Sequence, residues 1–292
     1  MSRATLIAAA AASLCIAASA RADEGRWSFS SGAEYTNGDY GEAQDTTIVI
    51  VPFTFGYRTD RWGARITVPY VSIEGSGNIV PGSSGSAAGG AGGLSGIVGG
   101  VGGLLDGLLD GLLGGDGPPG GADAPEPSAI PITIKEEGLG DITVAVSAVP
   151  FRTDGGTRLT LGARVRIPTA DADRSLGIDD TALAISSTLA HSFGGTTAIY
   201  GSIGYERAFE SEANAFFAQL GAETYVVPRI LLGSSIDWAQ AGSELRRDST
   251  QATLYAGYDL GSEIRFLAYG TAGLTDTSPD VGAGMRVIYT PE

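Results

Sequence analysis

The amino-acid sequence predicts an all-β protein, a transmembrane antiparallel β-barrel of about 12 strands. Three observations support this fold class: a period of two in hydropathy, an alternation of short and long connections, and aromatic residues near the ends of the apolar segments. Alternation of apolar and polar residues is typical of a strand, because successive side chains point to opposite faces. A tilted strand needs about 9 to 11 residues to cross a bilayer.

The N-terminal segment has the layout of a secretory signal peptide. Arg3 is followed by an uncharged apolar stretch, and Ala20-Arg21-Ala22 offers the small residues that a signal peptidase reads. We therefore predict a signal peptide of residues 1–22, cleaved after Ala22, with cleavage after Ala20 as the alternative. The barrel domain is then residues 23–292.

The composition of the mature chain excludes several kinds of site. Cys15 is the only cysteine and lies in the predicted signal peptide, so disulfides and cysteine metal sites are excluded. Removing Arg3 and Arg21 leaves 16 basic residues against 33 acidic ones, a net charge of −17. Such a charge argues against nucleic acid as a partner.

Twelve segments show the alternation expected of membrane strands. In one of them Leu159, Leu161 and Ala163 alternate with Arg158 and Thr160. The segments lie at 26–35, 47–57, 62–70, 142–148, 158–167, 180–191, 197–206, 214–225, 230–238, 250–260, 264–274 and 280–289. Pro52 falls inside the second segment, and we expect a bulge or a strand end there because proline cannot donate to a ladder.

The connections between these segments alternate in length. Short ones centre on 59–61, 154–156, 193–195, 228–229 and 261–262, and long ones lie at 37–45, 72–140, 168–179, 207–213, 239–248 and 275–279. Bacterial outer-membrane barrels have short periplasmic turns and longer extracellular loops. An even number of strands therefore places both termini in the periplasm.

Aromatic residues fall near the ends of the segments, where girdles at the two membrane interfaces would place them. The residues expected in these girdles are Trp27, Tyr35, Tyr57, Trp62, Tyr70, Tyr205, Tyr225, Trp238, Tyr258 and Tyr289.

The long connection 72–140 is a Gly-rich extracellular insertion. Residues 75–121 hold 20 of the 45 glycines, which is typical of a flexible, low-complexity loop. Three leucine pairs recur every four residues within it, at Leu104, Leu105, Leu108, Leu109, Leu112 and Leu113. A helix would align them on one side. Two interpretations remain open: a short helix that plugs the barrel mouth, and a disordered tether.

Charged and polar residues at inward-facing positions are the candidate functional residues. An Arg or Glu facing lipid at mid-depth would cost a few kcal/mol, so the alternation places these side chains inside the barrel. The predicted lumen-lining residues are Glu34, Arg65, Arg158, Arg164, Arg166, Gln219, Glu223, Asp237 and Arg286. They either form a polar constriction that selects solutes or pair with each other and hold a closed lumen together.

The sequence gives no sign of catalysis or of a cofactor. His191 is the only histidine, and the predicted topology places it beside a short periplasmic turn. Hydrolases of the outer membrane need histidine with serine or carboxylates near the outer rim. One histidine and no mature cysteine also make zinc or copper binding unfavourable. We therefore expect no enzymatic activity, no cofactor and no metal.

Several short motifs follow one another along the chain in a specific order. They are Val68-Pro69-Tyr70, Gly138-Leu139-Gly140-Asp141-Ile142, Arg164-Val165-Arg166-Ile167-Pro168-Thr169, Leu176-Gly177-Ile178-Asp179-Asp180 and Ser278-Pro279-Asp280. In these motifs the chain resembles the outer-membrane barrel transporters named for the MetA pathway of phenol degradation. Arg166 departs from the lysine usual in that family, and the insertion is not a family feature.

The resemblance implies passage of small, hydrophobic or aromatic solutes by passive diffusion through an outer-membrane barrel. The alternative is a structural or surface-interaction barrel with a closed lumen. In both cases we expect contact with outer-membrane lipid and, during biogenesis, with the barrel-assembly machinery. The aromatic residue near the C-terminus that such machinery reads would be Tyr289.

Overall fold

The computed structural model describes residues 25–40, 42–76, 133–171, 174, 176–178, 180–211, 213–240 and 248–292. Within these ranges the chain forms thirteen β-strands, and no helix there is long and apolar enough to cross a membrane. The strands are β1 (Arg26–Gly38), β2 (Thr46–Arg58), β3 (Trp62–Ser76), β4 (Thr133–Leu139), β5 (Ile142–Arg152), β6 (Thr157–Ile167), β7 (Ala182–Phe193), β8 (Thr197–Ala208), β9 (Asn214–Val227), β10 (Ile230–Ala239), β11 (Ser249–Leu260), β12 (Ile264–Gly273) and β13 (Val281–Tyr289). The predicted signal peptide and the leucine pairs of 104–113 lie outside the described residues.

The strands form a closed antiparallel barrel. Neighbours along the wall follow the order β2-β1-β13-β12-β11-β10-β9-β8-β7-β6-β5-β3-β4, and β2 also pairs with β3, which closes the ring. Strand β3 pairs with β4 over 70–76 and with β5 over 62–67, so β4 and β5 together occupy one position in the wall. The barrel therefore has twelve strand positions, which confirms the predicted fold class.

The longer β3 and the additional strand β4 correct one sequence prediction, the extent of the long connection. The connection predicted at 72–140 is shorter, because β3 continues to Ser76 and β4 begins at Thr133. One face of this β3–β4 pair is exposed, and there Lys135 Nζ donates a hydrogen bond to Glu74 Oε2 at 2.8 Å. The polar run Lys135-Glu136-Glu137 gives β4 no clear alternation of hydropathy, so its pattern resembles a loop.

The two ends of the barrel differ in their connections. Short turns at 59–61, 153–156, 194–196, 228–229 and 261–263 lie at one end, which we call the short-turn end, together with the first and last residues of the wall, Arg26 and Tyr289. Gly194 and Gly195 both have positive φ, 59° and 77°, which suits the tight turn between β7 and β8. The opposite end is the long-loop end. The predicted alternation of short turns and long loops is confirmed.

The outer face of the barrel is apolar. Leu254, Leu220, Ile203 and Met285 each expose about two thirds of their surface: 70%, 68%, 67% and 66%. Near the short-turn end, the Trp27 ring stacks on Phe55 with centroids 4.9 Å apart, as in an interfacial girdle. An apolar exterior around a polar interior is the arrangement of a transmembrane barrel and the reverse of a soluble domain.

The bulge expected at Pro52 does not form. Pro52 stands opposite Pro69 in an unbroken β2–β3 register. On its other side, residues 32–33 of β1 and 51–52 of β2 are not paired with each other, and the β1–β2 register is the same on both sides of this gap. The missing donor of proline is therefore accommodated by an interruption in one ladder and needs no extra residue.

Candidate functional site

The interior of the barrel collects the polar residues selected from the sequence. Eight of the nine predicted lumen-lining residues are buried, and the ninth, Arg65, is half-buried. The eight are Glu34, Arg158, Arg164, Arg166, Gln219, Glu223, Asp237 and Arg286. Charge that is buried in a barrel with an apolar exterior faces the lumen. Whether these side chains line a solute path remains a prediction.

Two ion-pair groups lie in the interior. Arg286 Nη2 donates to Glu34 Oε1 at 2.7 Å and joins the first and last strands of the wall. Towards the long-loop end, Glu206 accepts from Arg164 Nη2 at 3.2 Å and lies 3.8 Å from Arg166 Nη2. Glu206 was not among the predicted residues. Its inward position follows from the alternation of β8, so the sequence carried a usable signal.

A second set of polar contacts lies on the wall formed by β9, β10 and β11. Gln219 Nε2 donates to Asp237 Oδ1, and Ser235 Oγ donates to Asp237 Oδ2 at 2.9 Å. Tyr255 donates its hydroxyl hydrogen to Glu223 Oε2 at 3.0 Å. These contacts satisfy carboxylates that would otherwise be costly to bury.

Tyr225 corrects the predicted aromatic girdles. Its ring faces the interior near the short-turn end, where its hydroxyl donates to Asp259 Oδ2 at 3.0 Å and accepts from Arg265 Nη2 at 2.7 Å. Arg265 Nη2 also donates to Asp259 Oδ2 at 2.9 Å. Tyr225 lies two residues from Glu223 on β9, so the alternation that places Glu223 inside also places Tyr225 there. The girdle assignment relied on closeness to a strand end and overlooked this signal.

Inward-facing aromatic rings lie against the wall over glycines of the neighbouring strand. Tyr200 is the register partner of Gly221, and Tyr255 is the register partner of Gly233. A Cβ added at either glycine would overlap the ring of its partner. Tyr269 over Gly284 and Phe217 over Gly204 repeat the arrangement. The glycines thus allow large rings to lie flat along the wall, where they take up less of the lumen.

A cavity of about 50 Å³ lies in the interior at the short-turn end, and we call it the short-turn cavity. Strands β1, β2, β3, β5 and β13 form this cavity, mainly through side chains at their inward-facing positions. Its lining residues are Arg26, Ser28, Ser30, Thr54, Gly56, Tyr57, Arg58, Gly63, Ala64, Arg65, Ala145, Val146, Ser147, Ile288 and Thr290. Predicted residue Arg65 is therefore part of a wider basic surface.

At the long-loop end, Asp141 holds the connection between β6 and β7. Its Oδ1 accepts from the backbone N–H groups of Thr169 and Ala170 at 3.1 Å each, and its Oδ2 accepts from that of Ile178 at 2.8 Å. Burial raises the pKa of the Asp141 carboxyl above its ordinary value, and the backbone donors oppose that rise. A Cβ at Gly177 would overlap this carboxylate. Three of the motifs identified in the sequence, those that contain Asp141, Thr169 and Gly177, therefore meet at one carboxylate.

Asp180 holds the next loop in the same way. It accepts from the backbone N–H groups of Phe209, Glu210 and Ser211 at 2.9–3.1 Å and from the Ser211 hydroxyl at 2.7 Å. Burial alone would raise the pKa of the Asp180 carboxyl, but the hydrogen bonds from Ser211, Glu210 and Phe209 together outweigh it. The pKa is therefore lower than the ordinary value.

An apolar cluster lies beneath these loops at the mouth of the barrel. Leu176, from the loop that Asp141 holds, packs with Ile48 and Ile73 of the inner wall and with Tyr40 of the first loop. Leu176 and Ile73 are almost completely buried. The cluster narrows the long-loop end on the side of β2 and β3.

A concave groove of about 470 Å³ marks the outer face at β1, β2, β3 and β13. Aromatic side chains including Phe29, Phe53 and Tyr289 form its sides, and its lining shares Ser30 and Thr54 with the short-turn cavity. These two residues, which pair across β1 and β2, therefore border both the groove and the cavity.

His191 lies apart from the interior polar groups. It belongs to the outward-facing alternation of β7, where Nδ1 is 2.8 Å from Thr157 Oγ1 and the ring contacts Phe193 with centroids 4.5 Å apart. This agrees with the predicted place beside a short turn. Within the described residues, no group of three or more His, Cys, Asp or Glu side chains is arranged to hold a metal ion.

Comparison with solved structures shows the same fold in known barrels. The chain is similar to the COG4313 outer membrane channel from Pseudomonas putida F1, with a TM-score of 0.60, 12% identity and coverage of 93% of this chain and 97% of that one. It is also similar to KdgM porin, at 7% identity, and to NanC porin, at 8% identity, each with a TM-score of 0.50. The coverages are 91% and 99% for KdgM, and 90% and 100% for NanC.

Sequence comparison adds nothing to these structural similarities. No protein-family model matches the chain, and no curated protein matches it. The structural similarities establish the fold, an outer-membrane type of barrel. The resemblance to the barrels of the MetA pathway of phenol degradation remains a prediction.

Proposed function

We propose that the chain is a non-enzymatic channel of the bacterial outer membrane, through which small solutes diffuse along the lumen. The observation that carries the proposal is the interior itself. Rings such as Tyr200 and Tyr255 lie flat over glycines, and a cavity remains inside the wall at the short-turn end. This cavity is interior space that the side chains of a fully packed core would fill.

The proposal includes the orientation and the maturation of the chain. The short-turn end and both termini face the periplasm, and the long loops face the outside. Residues 1–22 are removed as a signal peptide after Ala22, and the barrel-assembly machinery inserts the remainder. Similarity of fold to channels and porins supports this placement.

The solutes that we propose are small and hydrophobic or aromatic, as the family resemblance implies. Tyr200, Tyr255 and Tyr269 pack in one buried cluster inside the barrel. They support this class because a solute that parts the cluster would meet rings on which an aromatic group can stack. Arg164 and Arg166, which flank Glu206 near the long-loop end, would bias passage by charge.

The test is single-channel conductance in planar bilayers. We expect discrete conductance steps from the purified protein, larger steps after deletion of residues 80–130, and altered ion selectivity in Arg164→Gln/Arg166→Gln. Arg229→Gln is the matched control, because it removes an exposed arginine from the turn between β9 and β10. Absence of conductance from both the full chain and the deletion variant would contradict passage along the lumen.

A barrel with a closed lumen is the second candidate, and one observation favours it. The apolar cluster around Leu176 and the loops fixed by Asp141 and Asp180 cover part of the long-loop end. In that case the barrel would serve a structural or surface-interaction role through its long loops. Loss of conductance in every variant, combined with binding of the protein to cells or isolated outer-membrane lipid through residues 77–132, would support this candidate.

A further inference from the structure

The short-turn cavity has an unusual set of lining groups for a strongly acidic chain. Three of its fifteen residues are arginines, six carry a hydroxyl group, and none is Asp or Glu. The whole chain, by contrast, has a formal net charge of −15. Hydrogen-bond donors and positive charge are therefore concentrated in one small space inside the barrel.

The β-sheet register brings the three arginines together. Arg26 and Arg58 are direct register partners on β1 and β2. Arg58 is also opposite Gly63 on β3, and Arg65 lies two residues further along the same face. Direct and diagonal cross-strand neighbours on one face are within reach of long side chains. Like charges at such positions repel, so the arrangement favours an anion between them.

The kind of anion follows from the chemistry of these groups. A guanidinium presents two parallel N–H groups that match the two oxygens of a carboxylate, and hydroxyls such as those of Ser28 and Ser147 add single donors. The volume of about 50 Å³ suits a carboxylate with only a few non-hydrogen atoms. A phospholipid headgroup is excluded because its acyl chains would have to enter the lumen.

We propose that the short-turn cavity is a binding site for a small organic carboxylate, held by Arg58 and Arg65 with Arg26 at its rim. The proposal rests on this convergent donor set, whatever other contacts the guanidinium groups make. It goes beyond solute passage, because a barrel that conducts nothing could still bind a carboxylate.

The experiment measures binding of ¹³C-labelled acetate to the full mature protein in detergent micelles by NMR line broadening. We expect saturable broadening that acetamide, the neutral analogue, does not displace. Charge-assisted hydrogen bonds are the strong ones, so Arg58→Gln/Arg65→Gln should weaken binding by about tenfold or more. Arg229→Gln, which removes an exposed arginine from the turn between β9 and β10, away from the cavity lining, should bind acetate like the wild type.

A second variant separates lost binding from lost folding. Arg58→Lys/Arg65→Lys keeps both charges and loses the bidentate geometry, so we expect affinity between those of the wild type and the glutamine variant. Far-ultraviolet circular dichroism checks that each variant keeps its β-structure. The proposal is overturned by displacement with acetamide, by absence of saturable binding in the wild type, or by equal binding in the wild type, glutamine and lysine proteins.

Discussion

Removal of the Asp141 carboxylate should release the loop between β6 and β7. The three backbone N–H groups that it accepts, from Thr169, Ala170 and Ile178, are 2.8–3.1 Å from its oxygens. Each such bond contributes about 1 kcal/mol net, so Asp141→Ala should lower the local stability of the loop by about 3 kcal/mol. Because 1.4 kcal/mol corresponds to a factor of ten, the open population should rise roughly 100-fold.

The assay is hydrogen–deuterium exchange of the protein in detergent micelles, followed by mass spectrometry of peptides covering 168–181. We expect these amides to lose protection in Asp141→Ala, while peptides of β9 and β10 keep theirs. Asp154→Ala is the matched control, because it removes a carboxylate from a turn at the opposite end. Equal exchange of residues 168–181 in the wild type and in Asp141→Ala would refute this account of the loop.

Three further predictions concern the wall and the loop between β8 and β9 that Asp180 holds. Arg286→Met leaves the buried carboxylate of Glu34 without its cation and should lower the free energy of unfolding by about 3 to 5 kcal/mol. Urea unfolding measures this loss. Recovery of stability when Glu34 is also neutralised would support the pairing. Gly233→Ala adds a Cβ where the ring of Tyr255 lies and should cost about 1 to 3 kcal/mol in the same assay, whereas Gly201→Ala, whose Cβ meets only ordinary contacts, should cost much less. The pKa of Asp180 is lower in the folded protein than its ordinary value. The ionised carboxylate therefore stabilises the loop fully at any pH above the ordinary pKa. This stabilisation is lost as the pH falls through the lower pKa of the folded protein. Hydrogen exchange of the loop amides should therefore show loss of protection at acid pH that is absent from Asp180→Asn, and a pH dependence equal in both proteins would contradict it.

The wall of the barrel was predictable because its physical signal is local and repeated. Each strand must alternate apolar and polar side chains to face lipid and lumen, so the sequence states the inward face residue by residue. Glu34 and Arg286 were both assigned to the interior by this rule, and both are buried there. Their pairing was not predictable, because it depends on the register between strands far apart in sequence.

Features that depend on tertiary contact were missed for identifiable reasons. The β4 strand has polar residues where an amphipathic strand would show contrast, so the pattern gave no signal. Tyr225 was assigned to a girdle because it lies near a strand end, although it shares the inward alternation of Glu223; its contact with Arg265 confirms the inward position. The roles of Asp141 and Gly177 were hidden because their partners are backbone N–H groups and a carboxylate from different loops.

The contact between Glu34 and Arg286 joins residues 252 positions apart in the chain. The pairing of β1 with β13 therefore has to wait until nearly the whole chain has been made. Until then, the edges of β1 and β12 expose backbone groups that can pair with other chains, and long-range pairing of this kind is slow. A chain that ended before β13 would keep both edges open, so the last nine strand residues determine whether the barrel becomes a closed ring or an aggregation-prone sheet.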